Sequence, residues 1–275
     1  MSASSFDLDA YFVRTGYTGP RDATLATLHA VVAAHAQTIP FENLDVLLGR
    51  PISLVPDAVF KKLILDRRGG YCFEQNSLLH RVLIALGFKV TTLSARVRWQ
   101  RPRDFTPPRT HLFLRVELDG TSWLADVGVG GLSLTAAICL DESGREQATP
   151  HEPRRIVREG ASLFHQVRLA TGDWADVCEF TLEAMPPIDC ELANWFTSAH
   201  PQSHFRNRLL VARAAPTGIR LTLLNHEFTT RAADGQATTL LITSPEALLA
   251  VLSENFGLHF PPTTRFGAPG SPWPA

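Results

Sequence analysis

The chain has 275 residues, 45% of them hydrophobic and 19% charged, with a formal net charge of -1, which describes a globular protein large enough for two or three domains around a shared cleft. The near-neutral balance lacks the basic excess that phosphate-backbone binding needs, so nucleic acid is excluded as a partner. No apolar run is long enough to span a bilayer and Met1 to Asp7 carries no secretory pattern, so no membrane contact is expected and the expected location is the cytoplasm.

Asp7 to Val13 opens the chain, and the segment from Thr15 to Pro20 turns it. Leu25, Leu28, Val31, Val32 and His35 then recur at helical spacing, with Asp22 placed to cap the helix. Pro40 ends it, so Ile39 to Val46 is a connector carrying Phe41, Glu42, Asn43 and Asp45. Pro56 to Leu65 predicts another short helix, with Val59, Phe60, Leu63 and Ile64 turned inward. The first third of the chain is mainly helical.

Arg67-Arg68-Gly69-Gly70-Tyr71-Cys72 leads two cations and two glycines into a further helix. Leu79, Leu83 and Leu86 give its apolar stripe and Gly87 closes it. Cys72 falls in the first turn, where the helix dipole and unpaired N–H groups favour a thiolate and can hold an oxyanion. Arg68 is expected to act on the sulfur in the same direction. Gly69 and Gly70, without Cβ atoms, are expected to let substrate or backbone approach it. Cys139, Cys178 and Cys190 are scattered without metal spacing and read as reduced, buried fillers.

After Gly87 the period becomes two. Val90 to Trp99 reads as a strand and Gln100 to Arg109 as a Pro-rich loop. His111 to Leu118 and Thr121 to Gly128 flank Asp119-Gly120, a strong hairpin signal. A two-residue turn pairs Leu118 with Thr121, Val116 with Trp123, Leu114 with Ala125 and Leu112 with Val127, placing a continuous apolar set on one face, with Phe113 opposite Asp126 and His111 opposite Gly128 on the other. His111 and Asp126 then share the other face as diagonal neighbours, with Cα atoms on the order of 7–8 Å apart. A slip of one residue would bury the charged set, so the apolar face locks this geometry.

Gly128-Val129-Gly130-Gly131 reads as a strand-ending turn, since no nucleotide-loop context surrounds it. From Leu132 to Glu183 short strands follow, as in a small barrel. Pro186-Pro187 marks a bend before a helix near Asp189 to Ala199. His200 and His204 have ligand spacing but no third ligand nearby, so no metal is expected. A meander over Leu209 to Ile242 precedes a helix that starts at Ser244-Pro245, and the segment from Gly267 to Pro272 reads as a loose tail.

Cys72, His111 and Asp126 have the types that nucleophilic catalysis requires: a thiol, a base to deprotonate it, and a carboxylate to hold the base in one tautomer and balance its charge. On the residues alone, another acyltransferase, a transglutaminase-like amidase, a thioesterase, or a binding module on the same scaffold stays open.

Three motifs narrow that choice: Arg68-Gly69-Gly70-Tyr71-Cys72-Phe73-Glu74-Gln75-Asn76, then Arg109-Thr110-His111-Leu112-Phe113-Leu114-Arg115-Val116, then Ala125-Asp126-Val127-Gly128-Val129-Gly130-Gly131. With Pro40-Phe41-Glu42-Asn43-Leu44-Asp45 and Asn194-Trp195-Phe196-Thr197-Ser198, the chain resembles the bacterial arylamine N-acetyltransferases along most of its length. The resemblance implies an α+β fold with a helical N-terminal domain, a β-barrel middle domain and a C-terminal α/β lid, around a cysteine-protease/transglutaminase-like Cys-His-Asp core. It implies boundaries of 1–90, 91–200 and 201–275 for these parts. It also implies acetyl transfer from acetyl-CoA, through an acetyl-cysteine, to arylamine or arylhydrazine acceptors, a role in xenobiotic metabolism, and a monomer or weak homo-oligomer. By the same resemblance Phe41, Val97 and Phe205 line the acceptor pocket, and Trp99 and Gly130 lie near the acetyl-CoA entrance. Val129 stands where the family often has Phe.

Overall fold

The computed structural model of the protein describes residues 6–268 and 271–273. The N-terminal third supplies α1 (Leu8–Thr15), α2 (Leu25–Thr38), the two-residue strand β1 (Phe41–Glu42), α3 (Leu44–Leu47) and α4 (Pro56–Phe60), which runs into a π-helical turn over Lys61–Leu65. It ends in α5 (Cys72–Ala85). The cap of α2 is Thr24, whose hydroxyl accepts from Thr27 N–H; Asp22, expected in that role, instead accepts from the Thr27 hydroxyl at 3.3 Å. Leu28, Val31 and Val32 of α2 and Leu78, Leu79 and Leu83 of α5 are buried in one apolar core.

That core continues beneath a seven-stranded sheet built from β2 (Lys89–Val97), β3 (His111–Leu118), β4 (Thr121–Ala125), β5 (Ile138–Cys139), β6 (Arg154–Glu159), β7 (Ser162–Arg168) and β8 (Trp174–Ala184), in the order β5-β4-β3-β2-β8-β7-β6. Gln147 draws the two edges together. Its backbone exchanges both hydrogen bonds with Arg154 of β6 (2.7 and 2.9 Å), and its side-chain amide does the same with Cys139 of β5 (2.6 and 2.9 Å). A side-chain amide thereby substitutes for a missing strand peptide, and the sheet is nearly a closed barrel.

The β3–β4 hairpin has the register derived above, pairing Leu118 with Thr121, Val116 with Trp123 and Leu114 with Ala125. Asp119 (φ 49°) and Gly120 (φ 79°) both take the left-handed conformation of a type I′ turn. The ladder stops at Ala125, so the expected rungs Leu112–Val127, Phe113–Asp126 and His111–Gly128 do not form, and Asp126 stands just beyond the strand.

Helix α6 (Pro187–Ala199) leads from the barrel to β9 (Leu210–Ala214), β10 (Arg220–Leu224), β11 (Glu227–Arg231) and β12 (Ala237–Leu241), and then to α7 (Pro245–Phe256), which Ser244 caps. β1 joins this second sheet, with Phe41 opposite Ala212 of β9. The N-terminal connector is thus stitched to the C-terminal sheet. In place of a loose tail, β13 (Phe266–Ala268) and β14 (Ser271–Trp273) pair antiparallel; residues 269 and 270 lie outside the described residues. Among the described residues no helix is long and apolar enough to cross a membrane.

Candidate active site

Cys72 is the first residue of α5 and only 4% exposed. The helix starts there because Glu74 reaches back, its Oε2 accepting the Tyr71 N–H at 3.1 Å. Lys62 holds the other oxygen of Glu74 at 2.7 Å. The two preceding glycines do not open a path to the sulfur. A Cβ on Gly69 would sit 2.2 Å from the Pro40 carbonyl oxygen, and one on Gly70 would sit 2.6 Å from Glu74 Oε2. Their function is to let this loop lie beside the β1 segment, with Glu42 N–H donating to Gly70 O at 3.0 Å. This brings Phe41 into the same apolar cluster as Cys72. Arg68 also departs from expectation, because its guanidinium is held by Glu42 at 2.6 Å and Asp45 at 3.3 Å.

The close approach to Cys72 belongs to Gly128, where a Cβ would lie 2.6 Å from Cys72 Cα and 2.6 Å from Asn76 Nδ2. His111, at the start of β3, points its Nε2 at Asp126 Oδ2 at 2.7 Å, and both side chains are 2% exposed. Cys72 acts on the imidazole as well, helping to hold its proton. The thiol has a further partner in the Thr110 carbonyl, 3.7 Å from Sγ. Burial works against charge on His111, but the Asp126 carboxylate outweighs it and, with the sulfur, lifts the imidazole pKa to about 10. Burial likewise works against a charged Asp126, yet His111, the Gly128 N–H and the Asn76 amide hold its carboxyl below the usual range.

Asn76, one helical turn after Cys72, ties the three segments together. Its Nδ2 donates to Leu112 O at 2.7 Å and to Asp126 Oδ1 at 3.0 Å, and its Oδ1 accepts from Val127 N–H at 3.1 Å.

Phe205 reaches the cluster from the turn before β9, its ring centroid 6.1 Å from that of Phe41 and 5.9 Å from that of Tyr71. Asn43 fixes that turn by donating to the carbonyls of Phe205 and Arg208, each at 2.7 Å. Gly130 (φ +72°) lies on the same wall, where a Cβ would stand 3.7 Å from the Phe41 ring. Val97, at the end of β2 opposite Cys178, and Trp99 pack instead against the main core. His200 stacks on Phe196 with centroids 4.5 Å apart, and His204 lies 4.4 Å from the Phe205 ring.

Donor atoms of His111, Asp126 and Cys178 come within 4.8 Å of one another. Burial pushes the Cys178 thiol well up, and the His111–Asp126 bond already uses the nitrogen and oxygen that would turn toward an ion. The donor set therefore suits a hydrogen-bonded dyad better than a metal, which needs a thiolate.

A family model described as N-acetyltransferase matches residues 24–264. An arylamine N-acetyltransferase of Mycolicibacterium smegmatis is 48% identical over 214 residues, covering 76% of each chain. One of Escherichia coli K12 is 42% identical over 91% of this chain and 88% of its own. The chain belongs to the arylamine N-acetyltransferase family. The solved structure of Mycobacterium marinum arylamine N-acetyltransferase in complex with CoA superposes with a TM-score of 0.87 at 38% identity, over 91% of this chain and 92% of that one. The α+β architecture of helices, near-closed barrel and second sheet is thus the family's own.

Three residues of this site escaped the sequence reading. Asn76 stood inside a quoted motif without an assigned contact, and Gly128 was set opposite His111 rather than against Cys72. Asn43 acts on a turn 162 residues away, a relationship that periodicity does not carry.

Proposed function

We propose that Cys72, His111 and Asp126 are the catalytic triad of an acetyl-CoA-dependent N-acetyltransferase acting on arylamine or arylhydrazine acceptors. The observation that carries this reading is one buried imidazole bonded to a buried carboxylate, with the thiol of a helix N-terminus helping to hold the imidazole proton. His111 takes the thiol proton and Asp126 balances the resulting charge. The Cys72 sulfur attacks the thioester carbonyl, the first-turn N–H groups of α5 stabilise the oxyanion, and the C–S bond to CoA breaks as His111 returns a proton to the departing thiolate. The acetyl-cysteine so formed is attacked by the acceptor nitrogen. His111 removes the ammonium proton, and collapse frees Cys72.

Phe41 and Phe205 give the acceptor ring an aromatic wall beside the sulfur, supported by their shared cluster with Cys72. Gly130, without a side chain beside Phe41, leaves room for the pantetheine arm, and the half-buried Val97 at the end of β2 and Trp99 just beyond it reach these regions from the edge of the main core. Segment 1–90 supplies the nucleophile, 91–200 the base and carboxylate, and 201–275 the cover that carries Phe205. All three triad residues come from one chain, so a monomer or weak homo-oligomer suffices. The four unpaired cysteines fit a reducing cytoplasm.

The test against a thioesterase is the fate of the acyl group. After loading with acetyl-CoA, an aromatic amine or hydrazine should discharge the enzyme far faster than water does. Discharge at the same rate in buffer alone would make the protein a hydrolase.

A further inference from the structure

Several buried and half-buried arginines of this protein are given carboxylates. Arg68 has Glu42 and Asp45, and Arg154, Arg220 and Arg231 share Glu152. Three others are not. Arg14, Arg67 and Arg213 line a cavity of about 310 Å³ together with Thr38, Ser253 and His259, and among the described residues none of the three makes an ion pair.

Part of this cluster has a structural explanation. Arg213 donates to the carbonyls of Gln37 (2.9 Å) and Asn255 (2.7 Å) in the last turns of α2 and α7. Arg14 donates to the carbonyls of Leu63 (3.1 Å) and Arg67 (3.3 Å). These bonds do not balance the charge. Two helix C-termini offer about half a negative unit each, and Glu254 is the one carboxylate lining the cavity, against three full cations. Arg213 Nε is buried without a hydrogen-bond partner, an uncompensated donor of the kind that native structures rarely keep. The Arg67 side chain is exposed and makes no hydrogen bond among the described residues, so its donors are free to turn inward. Burial and the neighbouring charges of Arg67 and Arg213 lower the Arg14 pKa to about 10, the response of a cation that lacks its counter-ion.

We infer that this cavity between α1, α2 and α7 is an anion site that takes a phosphate-type dianion. Guanidinium forks match phosphate oxygens. The site is independent of the triad assignment, since none of its lining residues touches Cys72, His111 or Asp126. The phosphate has two chemical sources: a free phosphate or phosphomonoester, or the 3′-phosphate of CoA.

The test uses the full-length protein at constant ionic strength, which removes general screening. Thermal unfolding in inorganic phosphate is compared with unfolding in chloride, for wild type and for Arg67→Gln, whose exposed side chain supports no helix end. Phosphate should raise the midpoint of the wild type, saturably, by several degrees more than chloride, and Arg67→Gln should lose most of that rise. Equal midpoints in the two salts, or a phosphate effect untouched by Arg67→Gln, would overturn the site. Calorimetric titration with CoA and dephospho-CoA separates the sources. If CoA supplies the phosphate, Arg67→Gln weakens CoA about tenfold or more and leaves dephospho-CoA unchanged. If the anion is free, Arg67→Gln affects neither, and phosphate still stabilises the CoA-saturated enzyme.

Discussion

Asn76 donates to Asp126 Oδ1 at 3.0 Å while His111 holds Oδ2 of the same carboxylate at 2.7 Å. The helix that carries the thiol therefore also orients the carboxylate that holds His111. Replacing Asn76 by Ala removes bonds to Leu112 O and Val127 N–H as well, and each buried group left without a partner costs about 1–3 kcal/mol. We expect a lowered unfolding midpoint and a kcat reduced by up to ~100-fold, because the dyad loses its fixed angle. The discriminating readout is the pH profile of Cys72 alkylation, which should shift in Asn76→Ala. An unchanged profile would reduce Asn76 to a packing residue.

Gly128 makes a second prediction. Its missing Cβ leaves the space that Cys72 Cα occupies, and neither that backbone atom nor the Asn76 amide, held by Leu112 and Asp126, can yield easily. Gly128→Ala should destabilise by about 1–3 kcal/mol, the usual cost of overpacking, and should slow Cys72 alkylation through a displaced α5 N-terminus. Gly120→Ala, where nothing stands within 4 Å of the new Cβ, is the control for general loss of glycine. It strains only its own turn, so alkylation should be unchanged.

Much of this site was legible in the chain because local patterns specify it. Asp119-Gly120 between alternating strands fixed the register, and the register brought His111 toward Asp126. The apolar stripe from Leu79 to Leu86 placed Cys72 at a helix start. What the pattern could not carry was contact across distant segments. Gly69 and Gly70 were expected to let substrate or backbone approach the sulfur, whereas Gly69 makes room for the Pro40 backbone and Gly70 for the Glu74 side chain. Arg68 was aimed at the sulfur but is taken by Glu42. The joining of Phe41 to β9, and the closing of the barrel through Gln147, depend on backbone pairings with no local signature.

The dyad also predicts how stability depends on pH. His111 is raised to about 10 when folded, against about 6.5 unfolded, so its contribution is complete below about 6.5 and is lost as pH rises through about 10. Asp126 is lowered, so its contribution is present above about 3.9 and is lost as pH falls through the depressed folded value. Stability from the pair should be greatest between about 4 and 6.5. Urea unfolding of wild type should show stability falling between about pH 7 and 10, more steeply than in Asp126→Asn, where no carboxylate holds the imidazole proton. Parallel curves for the two proteins would show that the pair does not titrate as a unit.

On the proposed assignment, Phe205 separates acceptor binding from chemistry on the thiol. Because its ring meets Phe41 and Tyr71 rather than the dyad, Phe205→Ala should raise the KM for aromatic acceptors several-fold. Acetylation of Cys72 by acetyl-CoA should keep its rate within about twofold, since removing uniform binding leaves the first half-reaction alone. Stopped-flow acetylation without acceptor, beside steady-state kinetics with one, makes the comparison.

The account stands or falls on whether the Cys72 sulfur carries the acyl group. Intact-mass measurement of the protein mixed with acetyl-CoA in the absence of acceptor, followed by addition of an aromatic amine, tests this directly. One added acetyl group that maps to the peptide containing Cys72, vanishes on adding the amine, and is absent in Cys72→Ala is the predicted result. An acetyl group on another residue, or turnover persisting in Cys72→Ala, would contradict it.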